Sequence, residues 1–228
     1  MKNSARNSAR SPVMIPAYTK GEERFNMISH IVGGALGVVT LVLCVVFAAM
    51  NHNVYGIVSG AVFGSCMILL YSVSSIYHGL SPRLSAKRVF RVLDHCAIFL
   101  LIAGTYTPFS LCAIREVNVA LGWGYFGVIW GLAAVGVTLC ALDMHRFRAI
   151  SMILYLGMGW CVAFSFDTLT HALPHNGMVL LLAGGVAYTM GAVIFGLGRF
   201  LRYAHSVFHL FVLAGSTLHF LAVLLYVL

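Results

Sequence analysis

Residues Met27 to Met50 read MISHIVGGALGVVTLVLCVVFAAM, a stretch without one charged side chain. A transmembrane α-helix needs roughly 20 consecutive apolar residues to cross about 30 Å of hydrocarbon, so this run can span a bilayer and is too long for the apolar region of a signal peptide. Further runs follow at about 54–77, 90–112, 118–141, 149–169, 177–198 and 204–227, with only short polar breaks between them. The whole chain of 228 residues agrees: 61% is hydrophobic, 9% is charged, and the mean hydropathy is +0.94. A soluble domain carries about a quarter charged residues. Lipid offers no hydrogen bonds to the backbone, and long unbroken runs satisfy it as helices, whereas a β-barrel needs short alternating segments. The expected fold is an all-α seven-transmembrane helix bundle in the cell (inner) membrane, one compact domain over residues 22–228.

Residues 1–21 differ in kind. They contain the tandem Asn3-Ser4-Ala5-Arg6 and Asn7-Ser8-Ala9-Arg10, then Pro12 and Pro16, and read as a disordered basic tail. The balance of 14 Lys+Arg against 6 Asp+Glu, net +8 with a pI near 9.4, is explained by topology. On the N-terminal side of the spans lie Lys2, Arg6, Arg10, Lys20, Arg24, Arg83, Lys87, Arg88, Arg91, Arg146, Arg148, Arg199 and Arg202. The other side has Arg115 alone, followed by Glu116. The positive-inside rule then predicts a cytoplasmic N-terminus and an external C-terminus, as an odd number of spans requires. Bases confined to links form no face with interleaved aromatics, which argues against nucleic acid as a partner. The six cysteines form no C-x-x-C pair and read as small packing residues. Glycines and alanines at small-x-x-x-small spacing, Gly33 with Gly37, Gly127 with Gly131 and Ala187 with Gly191, are expected to pack helices within the bundle. Pro108 is expected to bend the outer end of span three.

Ionisable groups at membrane depth carry the functional signal, because each is costly to bury and needs a partner. Span seven opens with His205-x-x-x-His209, two imidazoles on one helical face one turn apart. By the topology above, His78 ends span two and Asp94 begins span three at the same depth. Three neutral imidazoles with a water in the fourth position form the open tetrahedral arrangement of catalytic zinc, with Asp94 placed to take a proton from that water or orient an imidazole. Ser74, one turn before His78, is a candidate to hydrogen-bond the water or a carbonyl, although a lone helical serine more often bonds back to its own helix. Glu23, Asn26, Ser29 and His30 form a stripe at the start of span one. They are either a helix-end anchor or a wall and gate of the same cavity, with His30 a reserve ligand. His52, His145, His171 and His175 read as solvated. His219, ten residues past His209, is about 15 Å too deep to share the ion, and with Asp167 marks a polar path or, preferably, an interhelical hydrogen bond.

These motifs together resemble the hemolysin III family, the bacterial branch of the progestin and adipoQ receptors, in a larger group of membrane hydrolases that includes alkaline ceramidases. The matching residues are Glu23-x-x-Asn26-x-x-Ser29-His30, Ser74-x-x-x-His78, Asp94-His95-Cys96-Ala97-Ile98-Phe99 running into Ala103-Gly104-Thr105-Tyr106-Thr107-Pro108, and His205-x-x-x-His209. The resemblance implies seven helices, a cytoplasmic N-terminus, and zinc held by His78, His205 and His209 with Asp94 and Ser74 near its water. It also implies cytolytic activity, from the family name, and membrane-lipid homeostasis.

Two functions remain open on the sequence. One is zinc-dependent hydrolysis of a lipid amide or ester, ceramidase-like, with membrane lipids as substrate. The other is a non-enzymatic receptor or regulator braced by zinc. A retinal sensor is excluded, since Lys2, Lys20 and Lys87 are the only lysines and none lies in a span core. An i,i+4 pair with one facing imidazole suits a single small ion better than a haem. Pore formation lacks a row of charged pore-lining residues.

Overall fold

The computed structural model describes residues 15–228. Among these residues seven helices are long and apolar enough to cross a membrane: α1 Lys20–Met50, α2 Val54–Gly79, α3 Ser85–Val117, α4 Val119–Asp143, α5 Arg148–Ala172, α6 His175–Gly196 and α7 Ala204–Tyr226. The seven-helix membrane bundle read from the apolar runs is the fold of the protein. The tandem repeat and Pro12 lie outside the described residues.

Helix α1 starts earlier than hydropathy marks it because of its cap. Thr19 Oγ1 accepts from the Glu22 amide (3.2 Å) and Glu22 Oε2 accepts from the Thr19 amide (2.8 Å), a reciprocal capping box. The other Glu22 oxygen accepts from the amide of Tyr203 (3.1 Å), which stands in the left-handed region at φ 61° just before α7. Such a backbone costs of order 1 kcal/mol for a bulky residue, and Glu22 holds it. One side chain thus fixes the starts of α1 and α7 against each other.

Lipid tails are as apolar as leucine, so close packing and hydrogen bonds hold the helices together. A Cβ on Gly33 would stand 2.3 Å from the Tyr71 ring, so α1 and α2 meet only because that side chain is missing. Gly191 packs likewise on Phe211 of α7. Gly127 and Gly131 do not follow the expectation. A Cβ on either would meet nothing within 4 Å, and both face outward, because α4 turns its Ile129, Ala133 and Gly136 side to the core.

Two spans are irregular. After Pro108, which lacks an amide proton, α3 does not end: Phe109–Ile114 continue it as a wider π-helical turn. Helix α5 breaks at Trp160 into a 3₁₀ stretch, Cys161–Ser165. Tyr106 bridges that break, its hydroxyl donating to the Gly159 carbonyl and accepting from the Val162 amide, both at 2.9 Å. Buried irregular backbone at membrane depth needs such partners. All six cysteines are free thiols, and all but Cys161 are buried, as packing residues would be.

Candidate metal centre

Two helix ends, the last turn of α2 and the start of α7, bring His78, His205 and His209 together at the end of the bundle where α1 begins. One ligand nitrogen from each lies within 4.8 Å of the others. The Nε2 of His205 is 3.3 Å from Nε2 of His78 and 3.1 Å from Nε2 of His209. Zinc–nitrogen bonds of 2.0–2.1 Å at tetrahedral angles place neighbouring nitrogens about 3.3 Å apart. Two of the three separations therefore match a small tetrahedral cation, and the third lies within 4.8 Å.

One member of the set, His78, also fits in its hydrogen bonding, whereas Nδ1 of His205 and of His209 is buried without a partner among the described residues. His78 Nδ1 lies 2.6 Å from Glu23 Oε2, so the proton sits on Nδ1, donates to the carboxylate, and leaves the Nε2 lone pair facing the other two rings. A metal-binding imidazole characteristically donates its second N–H to a carboxylate in this way. The other Glu23 oxygen accepts from Lys87 Nζ at 2.7 Å. Glu23, read from the sequence as part of a helix-end anchor or of a cavity wall and gate, is the acceptor behind His78.

The remaining candidates fall into two groups. His30 is buried, and its ring stacks on His209 with centroids 3.7 Å apart and planes 15° from parallel, so it packs a ligand face and is outside the three-nitrogen group. Ser29 bonds back to the Asn26 carbonyl (3.0 Å), anchoring the helix end. Asn26 is wholly buried with neither amide atom partnered among the described residues, and the same holds for the hydroxyl of Ser74. An orphaned buried polar group costs of order 1–3 kcal/mol, and Ser74 departs from the usual helical serine, whereas Ser75 does bond back to its helix (Ser72 carbonyl, 3.0 Å). Asp94 shares the layer but, among the described residues, makes no ion pair with any of the three histidines; its nearest basic nitrogen is His95 Nδ1 at 4.0 Å.

A cavity of about 1080 Å³ is lined by Ser74, Asp94, His30, His205 and His209 at this end of the bundle and by His219 further along. Tyr18 also lines it and stacks on His205, centroids 5.0 Å apart and planes 13° from parallel. Burial raises the Tyr18 phenol above its ordinary value, an effect that Arg91 opposes, so the hydroxyl stays protonated.

Sequence reading missed two residues. Tyr18 was placed in the tail. Lys87 was counted as a topogenic base, yet it is wholly buried. Its signal was register, since Lys87 stands seven residues before Asp94 and so on the same helical face. The other histidines follow expectation: His52, His145, His171 and His175 are exposed, and His219 makes an interhelical hydrogen bond to the Leu181 carbonyl (3.0 Å). Asp167 takes no part in that bond; it is exposed and lies 3.9 Å from His171.

Fold and site together define a class: multi-pass membrane proteins of seven helices with a buried three-histidine group that could hold a metal ion. Within that class the chain matches the family described as Haemolysin-III related over residues 18–220, and it belongs to that family. It is 39% identical over 208 residues to Hemolysin-3 of Bacillus cereus, covering 91% of this chain and 92% of that one. The Hemolysin-3 homolog of Bacillus subtilis (strain 168) is 36% identical over 209 residues, 92% of this chain and 96% of its own. The human Monocyte to macrophage differentiation factor is 26% identical over 167 residues, 71% of this chain and 67% of its own.

Proposed function

We propose that this protein is a zinc-dependent hydrolase of a lipid amide or ester, with its centre at the cytoplasmic end of the bundle and a role in membrane-lipid homeostasis. The observation that carries the reading is that two of the three converging imidazoles line a large, mostly apolar cavity beside a carboxylate and an unpartnered hydroxyl. Zinc held by His78, His205 and His209 supplies a Lewis acid that makes water nucleophilic near neutral pH. Asp94 accepts the proton of the attacking water and returns it to the departing amine or alcohol. Ser74 Oγ donates to the carbonyl oxygen as negative charge develops there. Water oxygen bonds to the carbonyl carbon, the C–N or C–O bond breaks, and a fatty acid leaves with the amine or alcohol. Ile98, Leu101, Leu156 and Phe208 line the cavity and provide an apolar bed for the acyl chain.

The test is release of fatty acid from ceramides and phospholipids by reconstituted protein, chelated protein and Asp94→Asn. Zinc-dependent release that Asp94→Asn lowers by about 10²-fold or more supports the reading, because general-base contributions are of that order. Equal behaviour of all three samples in a lipid-related phenotype moves the preference to a regulator braced by zinc. Orientation rests on the distribution of bases: a reporter active only outside the cytoplasm should be active when fused at Leu228, and a cytoplasmic reporter there should be silent. The reverse pattern would put the centre on the wrong side for this proposal.

A further inference from the structure

A lysine counted as a topogenic base should reach water, since long basic side chains at helix ends extend their charge to the interface. Lys87 does the opposite. It is 0% exposed, and each contact of its ammonium leads to the helix turn that bears His78. One N–H donates to Glu23 Oε1 at 2.7 Å, while the second Glu23 oxygen accepts from His78 Nδ1 at 2.6 Å. Another N–H donates to the Leu80 carbonyl at 2.9 Å, and Leu80 is the C-cap of α2, two residues beyond His78. The face of the Tyr77 ring, next to His78 in the chain, lies 4.9 Å from the same nitrogen.

Helix ends leave carbonyls without partners, and a cation there both satisfies them and complements the helix dipole. Lys87 therefore grips the end of α2 while holding the carboxylate that selects which nitrogen of His78 is protonated. A buried ion pair is weak support for stability, since desolvation offsets its attraction, but this one has a geometric consequence. It clasps α1, α2 and α3 around a single imidazole.

We propose that Lys87 is a positioning residue for the metal centre: through Glu23 and the Leu80 carbonyl it fixes the place and tautomer of His78, so that Nε2 faces His205 and His209. The inference rests on the reading of those three histidines as the zinc ligands, but not on hydrolysis.

The experiment measures zinc affinity of detergent-purified full-length protein by competition with a chromogenic chelator, together with its thermal unfolding. Lys87→Met should weaken zinc binding up to about tenfold, the lower end of the range expected when the partner directly behind a ligating histidine is removed, and Lys87→Arg should restore part of it. The double variant Lys87→Met with Glu23→Gln leaves no unpaired buried charge, so it keeps the test open where the single variant fails to fold. It should bind zinc severalfold more weakly than Glu23→Gln alone, because Lys87 also holds the Leu80 carbonyl at the end of α2. A brace without influence on the metal would lower the unfolding temperature, leave Lys87→Met at the wild-type zinc affinity and leave the double variant equal to Glu23→Gln, and that result overturns the proposal. Weakened zinc binding in a protein that hydrolyses no lipid would sustain Lys87 in this role while removing the hydrolase.

Discussion

His209 and His219 sit on one helix, about 15 Å apart at helical rise, and both are buried, at 1% and 8% exposure. Their surroundings differ. His209 Nε2 faces the Nε2 of His205 at 3.1 Å, with the His30 ring stacked on its face. His219 Nε2 instead donates to the Leu181 carbonyl at 3.0 Å, and its ring fills the space where Gly184 lacks a side chain. The Leu181 carbonyl accepts the Nε2 proton of His219, whose Nδ1 is buried without a partner among the described residues and outside the three-nitrogen group. Imidazole nitrogens that converge leave lone pairs with no donor to take them, and a cation answers that deficit. Two histidines of one helix are thus assigned different tasks by what the neighbouring helices present to them.

The largest expected effect breaks or keeps that distinction. Purified wild-type protein should carry about one zinc per chain, and His78→Ala, His205→Ala or His209→Ala should each lose most of it, whereas His219→Ala should keep it. Metal analysis by mass spectrometry decides; zinc retained by all three variants, or lost from His219→Ala alone, would dissolve the contrast.

Next in size is the packing at the deep end. A Cβ on Gly184 would stand 2.3 Å from the His219 ring, so Gly184→Ala must displace the imidazole from its carbonyl. A loss of about 1–3 kcal/mol is expected, typical of overpacking a filled interior, and zinc content should be unchanged. Thermal unfolding in detergent read beside metal content checks both halves.

A subtler test concerns the two carboxylates. Glu23→Gln should weaken zinc binding about tenfold, since Glu23 touches His78, whereas Asp94→Asn should leave zinc affinity within about twofold of wild type. Equal losses would mean that Asp94 also orients a ligand in solution.

The smallest effect belongs to the outward glycines of α4. Gly131→Ala meets nothing within 4 Å and should shift the unfolding temperature hardly at all, while Gly33→Ala, aimed into the Tyr71 ring, should lower it by several degrees. A large effect at Gly131 would show that this face is packed in the membrane against something outside the chain.

How far the sequence could be read follows from which signals are local. Apolar run length shows seven spans without any partner, because each helix satisfies its own backbone in lipid. The same property hides span ends: α1 reaches back to Lys20 through a capping box, and α3 runs on past Pro108 to Val117, both set by hydrogen bonds that hydropathy does not weigh. The depth of His78, Asp94, His205 and His209 was legible too, since counting along alternating spans puts them in one layer.

Azimuth was not legible. Which way a residue faces on its helix is set by packing against helices distant in sequence. The sequence by itself therefore determined the bundle, the layer and the three histidines that share it. Only the tertiary structure decided that Glu23 rather than Asp94 contacts one of the three imidazoles and that His30 stacks on another. It also turned Gly127 and Gly131 outward and buried Lys87 among three helix ends. Membrane depth follows from position along one helix, but contact across a bundle depends on the rotation of every helix about its own axis, and that is fixed only when the others are in place.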